Sequence, residues 1–260
     1  MNIDALLDFA RAIVLLFILI VSVHFLYTRK HSIRMTLFSL AIACILFSDI
    51  YWLTFDSLYP DIRMPFAANE IGEWAMFLLM GAALTAYNPI EFMKAKLAII
   101  CTCLFVAGNT ALWIAWTGEW LQDILTGITL CYFICAVVYR MKQEEAFSAI
   151  QWILLGITCP VLLIGQAGIF FVDSKYKNLL DMSCYVLLFV VAAIFIARSI
   201  YSLVQSKNPK QAICHSFSSF AWIVITLYMS GATFYYAAMI LSMIGFILML
   251  LALKKEETAV

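Results

Sequence analysis

Charge is scarce in this chain. Lys, Arg, Asp and Glu make up 12% of its 260 residues, against 65% hydrophobic, and mean hydropathy is +0.98. Soluble domains carry roughly 25% charged residues, so this composition excludes an ordinary soluble fold and points to a membrane protein. Proline is equally sparse at five residues and histidine at three. The histidines (24, 31 and 215) stand near helix ends, too few and too scattered for a histidine-rich metal centre. No lysine lies mid-span, which excludes a retinal-type Schiff base, and no phosphate-binding loop, H-E-x-x-H or G-x-S-x-G occurs. No catalytic motif is therefore recognisable and no cofactor is called for. The net charge of zero, with no basic tail or acidic run, excludes an electrostatic nucleic-acid partner.

What remains is a series of apolar runs. A spanning helix needs about 20 mostly apolar residues. Runs of that kind fall at 6–27, 35–56, 66–87, 97–116, 120–139, 147–172, 179–201, 215–230 and 232–253. The expected fold is an all-α polytopic integral membrane bundle of about nine transmembrane helices, a single transmembrane domain over 1–260 with no soluble domain. Residues 215–253 are too long for one span, and Met229-Ser230-Gly231-Ala232 is the flexible point that splits them. If that unit is instead one broken or re-entrant element, the count is eight. The first segment lacks a basic n-region and a small-residue cleavage site, so it is expected to stay as the first helix.

Orientation follows from Lys and Arg. With the N-terminus outside, the inner side holds Arg29, Lys30, Arg34, Lys94, Lys96, Arg140, Lys142, Arg198, Lys207, Lys210, Lys254 and Lys255, and the outer side only Arg11, Arg63, Lys175 and Lys177. That bias predicts an outside N-terminus, a cytoplasmic C-terminus and a multi-pass protein of the cell membrane. Trp116 and Trp120, and Tyr87, Tyr139 and Tyr201, stand where interfacial belts are expected.

Four carboxyls break the pattern. Asp49 and Asp56 share one face of the second span with Trp52; Glu70 and Glu73 share a face of the third with Trp74 and Phe77. Asp49 is about 10 Å deep and the two glutamates about 6–10 Å, at 1.5 Å per residue. Acidic groups at such depth are costly and persist where they face a protein interior or a watery cavity. The two helices are neighbours through a short loop, so the expectation is one acidic recess for a proton, a small cation or an amine-like solute. Arg63 and Asn69 are placed to balance or orient it. The plainer alternative puts Asp56 and Glu70 at headgroup level, with Asn69 and Glu70 capping a helix after Pro65.

Other polar residues carry less. Asn109 and Gln166 lie at mid-depth, where interhelical hydrogen bonds explain such residues. Pro160 is expected to kink the sixth span and is the candidate hinge. Eight cysteines lie in or beside apolar runs as small hydrophobes; Cys101-x-Cys103 and the one-face pair Cys131 and Cys135 are weak as metal signatures.

Three functions fit. The first is a small secondary transporter or permease using Asp49, Asp56, Glu70 and Glu73. The second is a membrane-embedded sensory module acting through a signalling partner protein. The third is an intramembrane lipid-modifying enzyme using paired carboxyls as acid and base.

Overall fold

A computed structural model describes residues 3–28, 32–59, 68–87, 89–205 and 208–259, and Arg63 lies outside them. Among the described residues there is no strand and there are nine α-helices: α1 (Ile3–Thr28), α2 (Ile33–Leu58), α3 (Ala68–Thr85), α4 (Lys96–Thr117), α5 (Trp120–Gln143), α6 (Ala149–Gly168), α7 (Ser174–Gln205), α8 (Pro209–Met229) and α9 (Ala232–Ala259). A single 3-10 turn, Phe92–Ala95, leads into α4.

The helix ends obey local chemistry. Ser148 caps α6 through the Gln151 N–H while the Gln151 side chain returns to the Ser148 N–H, a reciprocal capping box. Asn208 caps α8 ahead of Pro209, whose missing N–H is harmless in a first turn. Gly118 closes α4 at φ 77°, a left-handed conformation that glycine enters without a Cβ clash, and its N–H returns to the Ile114 carbonyl at 3.0 Å. The eighth and ninth runs are two separate helices broken at Ser230-Gly231, although α8 starts six residues earlier than the apolar pattern alone suggested.

Helix packing closes a ring. α1 meets α2, α2 meets α3, α3 meets α5, α5 meets α4, α4 meets α6, α6 meets α7, α7 meets α9, and α9 returns to α1. α8 packs against α5, α7 and α9 and fills the centre, with every residue from Ala212 to Thr226 buried. That central helix is rich in small polar residues. Ser216, Ser218, Ser219 and Thr226 are buried; Ser216 bonds Ser199 of α7 at 2.8 Å, and Thr226 bonds the Trp222 carbonyl within its own helix.

The outer surface is the reverse. Phe9, Ile13, Leu16, Phe17, Ile20 and Val23 form an exposed stripe along α1, and α6 and α7 carry similar ones. Apolar residues outside, and small polar residues buried among an apolar core inside, is an arrangement expected where hydrocarbon is the solvent. Eight of the helices are long and apolar enough to cross a membrane, which fits a multi-pass membrane protein. α3 is the exception, at 18 residues with Asn69, Glu70 and Glu73 in its first two turns. Trp116, Trp120, Tyr87 and Tyr201 are exposed near helix ends. Tyr139 is not, contrary to expectation: it is 1% exposed, packed with Ala95, Ile99 and Cys135 where α4 and α5 meet.

Candidate functional site

Helix direction alternates along the chain, so the starts of α1, α3, α5, α7 and α9 share one end of the bundle with the finishes of α2, α4, α6 and α8. The polar residues of interest gather at that end, here the site end.

Gly72 sets the first contact. A Cβ there would come within 2.8 Å of the Cys44 carbonyl oxygen and of the Ser48 Cβ, so α2 and α3 touch backbone to side chain only because Gly72 has none. The Ser48 hydroxyl donates to the Asn69 carbonyl at 2.8 Å across the same seam. This close approach presents Asp49 of α2 and Glu73 of α3 to the interior together.

Asp49 is 4% exposed and is held by Arg11 of α1. The guanidinium grips it with two bonds: Nε donates to Oδ2 at 2.7 Å and a terminal nitrogen donates to Oδ1. Fork-to-fork pairing of this kind is the strongest ion-pair geometry and leaves both partners satisfied. Glu73 accepts a hydrogen bond of 2.6 Å from the Tyr228 hydroxyl of α8 and interacts electrostatically with Arg11, Asp49 and Glu70. Glu70 is half-buried and accepts from the Gln122 side chain of α5 at 3.0 Å, while Trp74 Nε1 donates to Thr126 of α5 at 2.9 Å.

The four carboxyls therefore do not share one recess. Asp49 and Glu73 turn inward, Glu70 turns to α5, and Asp56 is exposed. No residue of α2 from Ile50 to Tyr59 is buried, because its last turns leave the cover of their neighbours. Asp56 follows Asp49 on the same face but is exposed, with no hydrogen-bond partner for its side chain among the described residues. Trp52 is 42% exposed, away from the ion pair. Asn69 contributes its carbonyl to Ser48, while its side-chain Oδ1 is buried with no partner among the described residues. Pro160 sits on the exposed side of α6, which stays helical from Ala149 to Gly168.

Beside this cluster is a cavity of about 210 Å³ between α4, α6, α7 and α8. Trp113, Trp116, Phe170, Tyr185 and Tyr228 form much of its wall. The Trp113 and Tyr228 rings are 5.2 Å apart at 39°, and Trp116 and Phe170 meet edge to face at 6.0 Å. Asn109, Gln166 and Ser230 line it as well, and each has a buried atom without a hydrogen-bond partner among the described residues: Oδ1, Nε2 and Oγ respectively. The interhelical bonds expected of Asn109 and Gln166 are not made. Asn109 Nδ2 instead donates to the Phe105 carbonyl of its own helix at 3.0 Å. Buried polar atoms are normally satisfied, so three orphans around one cavity are an unusual concentration.

Tyr228 joins the two halves. Its ring is part of the cavity wall and its hydroxyl is on Glu73. Comparison with known proteins finds no matching family model, no matching curated protein and no matching solved structure. The site therefore rests on its own geometry.

Sequence reasoning missed Arg11, Tyr228, Gln122 and Trp113. Arg11 had a signal: a guanidinium eight residues into an apolar helix needs a buried anion, and Asp49 was the deepest one available. Tyr228 had none, standing 155 residues from Glu73 among many membrane aromatics.

Proposed function

We propose that the chain is a small permease of the cell membrane, N-terminus outside and C-terminus cytoplasmic, that takes a small amine-like solute into the aromatic cavity. The carrying observation is the shared Tyr228. An ammonium group set over the Trp113 and Tyr228 rings would gain cation–π attraction. A phenol that donates to a carboxylate has a more electron-rich ring, so Glu73 would reinforce that attraction without touching the solute. Asn109 Oδ1 suits the N–H donors of such a solute, and Gln166 Nε2 suits an acceptor on it, such as a hydroxyl. A cavity of about 210 Å³ is below the usual drug-sized range of roughly 300–1,000 Å³, which favours a compact solute.

The orientation rests on the basic residues, twelve against four in favour of a cytoplasmic C-terminus. Within this reading Asp49 is a structural counter-ion to Arg11. Among the described residues, Glu73 and Asp181 have inward carboxyl oxygens with no cationic hydrogen-bond partner, Asp181 standing beside the cavity residue Tyr185. They are therefore the places where a proton or the solute's charge would be balanced.

The test is uptake by the purified chain in liposomes, using radiolabelled methylammonium with ethanolamine and tetramethylammonium as competitors. Saturable uptake, competed by ethanolamine and at least tenfold weaker in Tyr228→Ala, supports the reading. Uptake no greater than in protein-free liposomes rejects it. A second reading, a sensory module working through a partner protein, is favoured by the ion pairs that tie the opposite end of the bundle. Quenching of Trp fluorescence by ethanolamine without any flux would select it.

A further inference from the structure

Three of the eight cysteines meet. Cys103 projects from α4, and Cys131 and Cys135, one turn apart on α5, face it across the seam where the two helices pack. Their sulfurs lie within 4.8 Å of one another, with Cys103 at 3.7 Å from Cys131 and 3.9 Å from Cys135. All three are free thiols, and these separations are far beyond a disulfide bond of about 2.05 Å. They match the edges of a triangle of ligands instead. An ion centred among sulfurs so spaced sits about 2.3 Å from each, an ordinary metal–thiolate distance.

We propose that Cys103, Cys131 and Cys135 form a thiolate site for one soft monovalent metal ion of the Cu(I) type. The donor set is all sulfur, which selects soft ions over Mg²⁺, Ca²⁺ and Mn²⁺. The number of donors then discriminates further. Structural zinc takes four ligands, and among the described residues no fourth Cys, His, Asp or Glu joins this group. A water could complete a zinc site elsewhere, but this seam is near the middle of two apolar helices. Cys103 is exposed on the outer, apolar side, and Ala95, Ile99 and Tyr139 back the cluster toward the near end of α4. Cu(I) is stable with three sulfurs and needs no water. Each thiolate formed releases one proton, so Cu(I) held by two thiolates and one neutral thiol releases two protons and leaves a net charge of −1. If all three sulfurs ionise the charge is −2, and the less charged form suits the apolar seam. The ordinary role of cysteine as a small hydrophobe does not require three sulfurs in mutual contact from two helices.

The experiment uses the full chain, purified in detergent micelles, reduced and anaerobic, and titrated with Cu(I) against the chelator bicinchoninate. One ion per chain is expected, with three sulfur neighbours at roughly 2.3 Å by X-ray absorption. Cys103→Ser, Cys131→Ser and Cys135→Ser are each expected to weaken binding at least tenfold. A chain with Ser at 44, 101, 159, 184 and 214 should keep it. A readout on the unmutated chain guards against misfolded variants: Cu(I) should protect Cys103, Cys131 and Cys135 from N-ethylmaleimide, read by peptide mass spectrometry. Retention of the ion in the triple Ser variant overturns the proposal. So does protection confined to other cysteines, or a Cys103–Cys131 disulfide forming with no ion taken up.

Discussion

The two ends of the bundle handle buried charge in different ways. At the end opposite the site, Arg34 of α2 pairs with Glu256 of α9, donates Nε to the Ala83 carbonyl of α3 at 2.9 Å, and lies 4.9 Å from the Tyr87 ring centroid. Arg140 pairs with Glu144 and Gln143, and Lys255 Nζ donates to the Ser202 and Leu203 carbonyls of α7. Each of these cations stitches helices or finishes a helix end. At the site end Arg11 is hydrogen-bonded to Asp49 while Glu73 takes its hydrogen bond from the Tyr228 hydroxyl, and a cavity nearby keeps three polar atoms without partners among the described residues. Among the described residues, buried polar atoms without a partner occur at both ends, with Tyr139 Oη, Ser202 Oγ and His215 Nδ1 at the opposite end. Only at the site end do three of them line one cavity where a ligand could meet them.

Substitutions can break that contrast. Arg11→Gln should have the largest effect, about 3–5 kcal/mol of lost stability, because it strands Asp49 as a buried unpaired charge. Thermal unfolding in micelles measures it, and adding Asp49→Asn should recover more than half of the loss. Arg34→Gln is expected to cost about 3 kcal/mol, yet leave ethanolamine affinity unchanged. If it abolished binding, the division of labour between the ends would be wrong. Gly72→Ala should cost about 1–3 kcal/mol, since the new methyl meets a backbone carbonyl that has to move. Amine affinity should fall with it, because α2 and α3 separate at the level of Glu73.

Subtler changes sharpen the same contrast. Tyr228→Phe keeps the ring and removes its bond to Glu73. Ethanolamine affinity should fall about fivefold, roughly 1 kcal/mol, by isothermal titration. Gln166→Leu is expected to raise stability by about 0.5–1 kcal/mol while weakening binding, the signature of a polar group kept for a ligand. A variant both less stable and unchanged in binding would mean that Gln166 serves the fold through an ordered water.

How far the chain could be read depended on the range of each interaction. The apolar runs and the break at Ser230-Gly231 were legible because such patterns are local, whereas several ends were not, since α7, α8 and α9 continue beyond their apolar runs into polar sequence. The inward turn of Asp49 and Glu73 was legible from their depth. Asp56 shows where that argument stops, since a shared face says nothing about whether a neighbour still covers it. The cavity was invisible for a different reason: Asn109, Gln166, Tyr185 and Tyr228 come from four helices, and only packing brings them to one wall. The thiol trio is similar. One cysteine of the C-x-C pair joins Cys131 and Cys135, a choice that depends on the rotation of α4 against α5.

The polarity of α3 has a further consequence for how the protein is made. If α3 enters the bilayer as it is made, its two glutamates arrive before their hydrogen-bond partners, since Gln122 follows Glu70 by 52 residues and Tyr228 follows Glu73 by 155. Arg11 and Asp49 are already present. The α3 segment is expected to linger at the insertion machinery, or shelter against α2, until α5 and then α8 arrive. A nascent chain halted at residue 205 should therefore leave a cysteine placed at position 73 open to water-soluble maleimides, and the finished protein should close it.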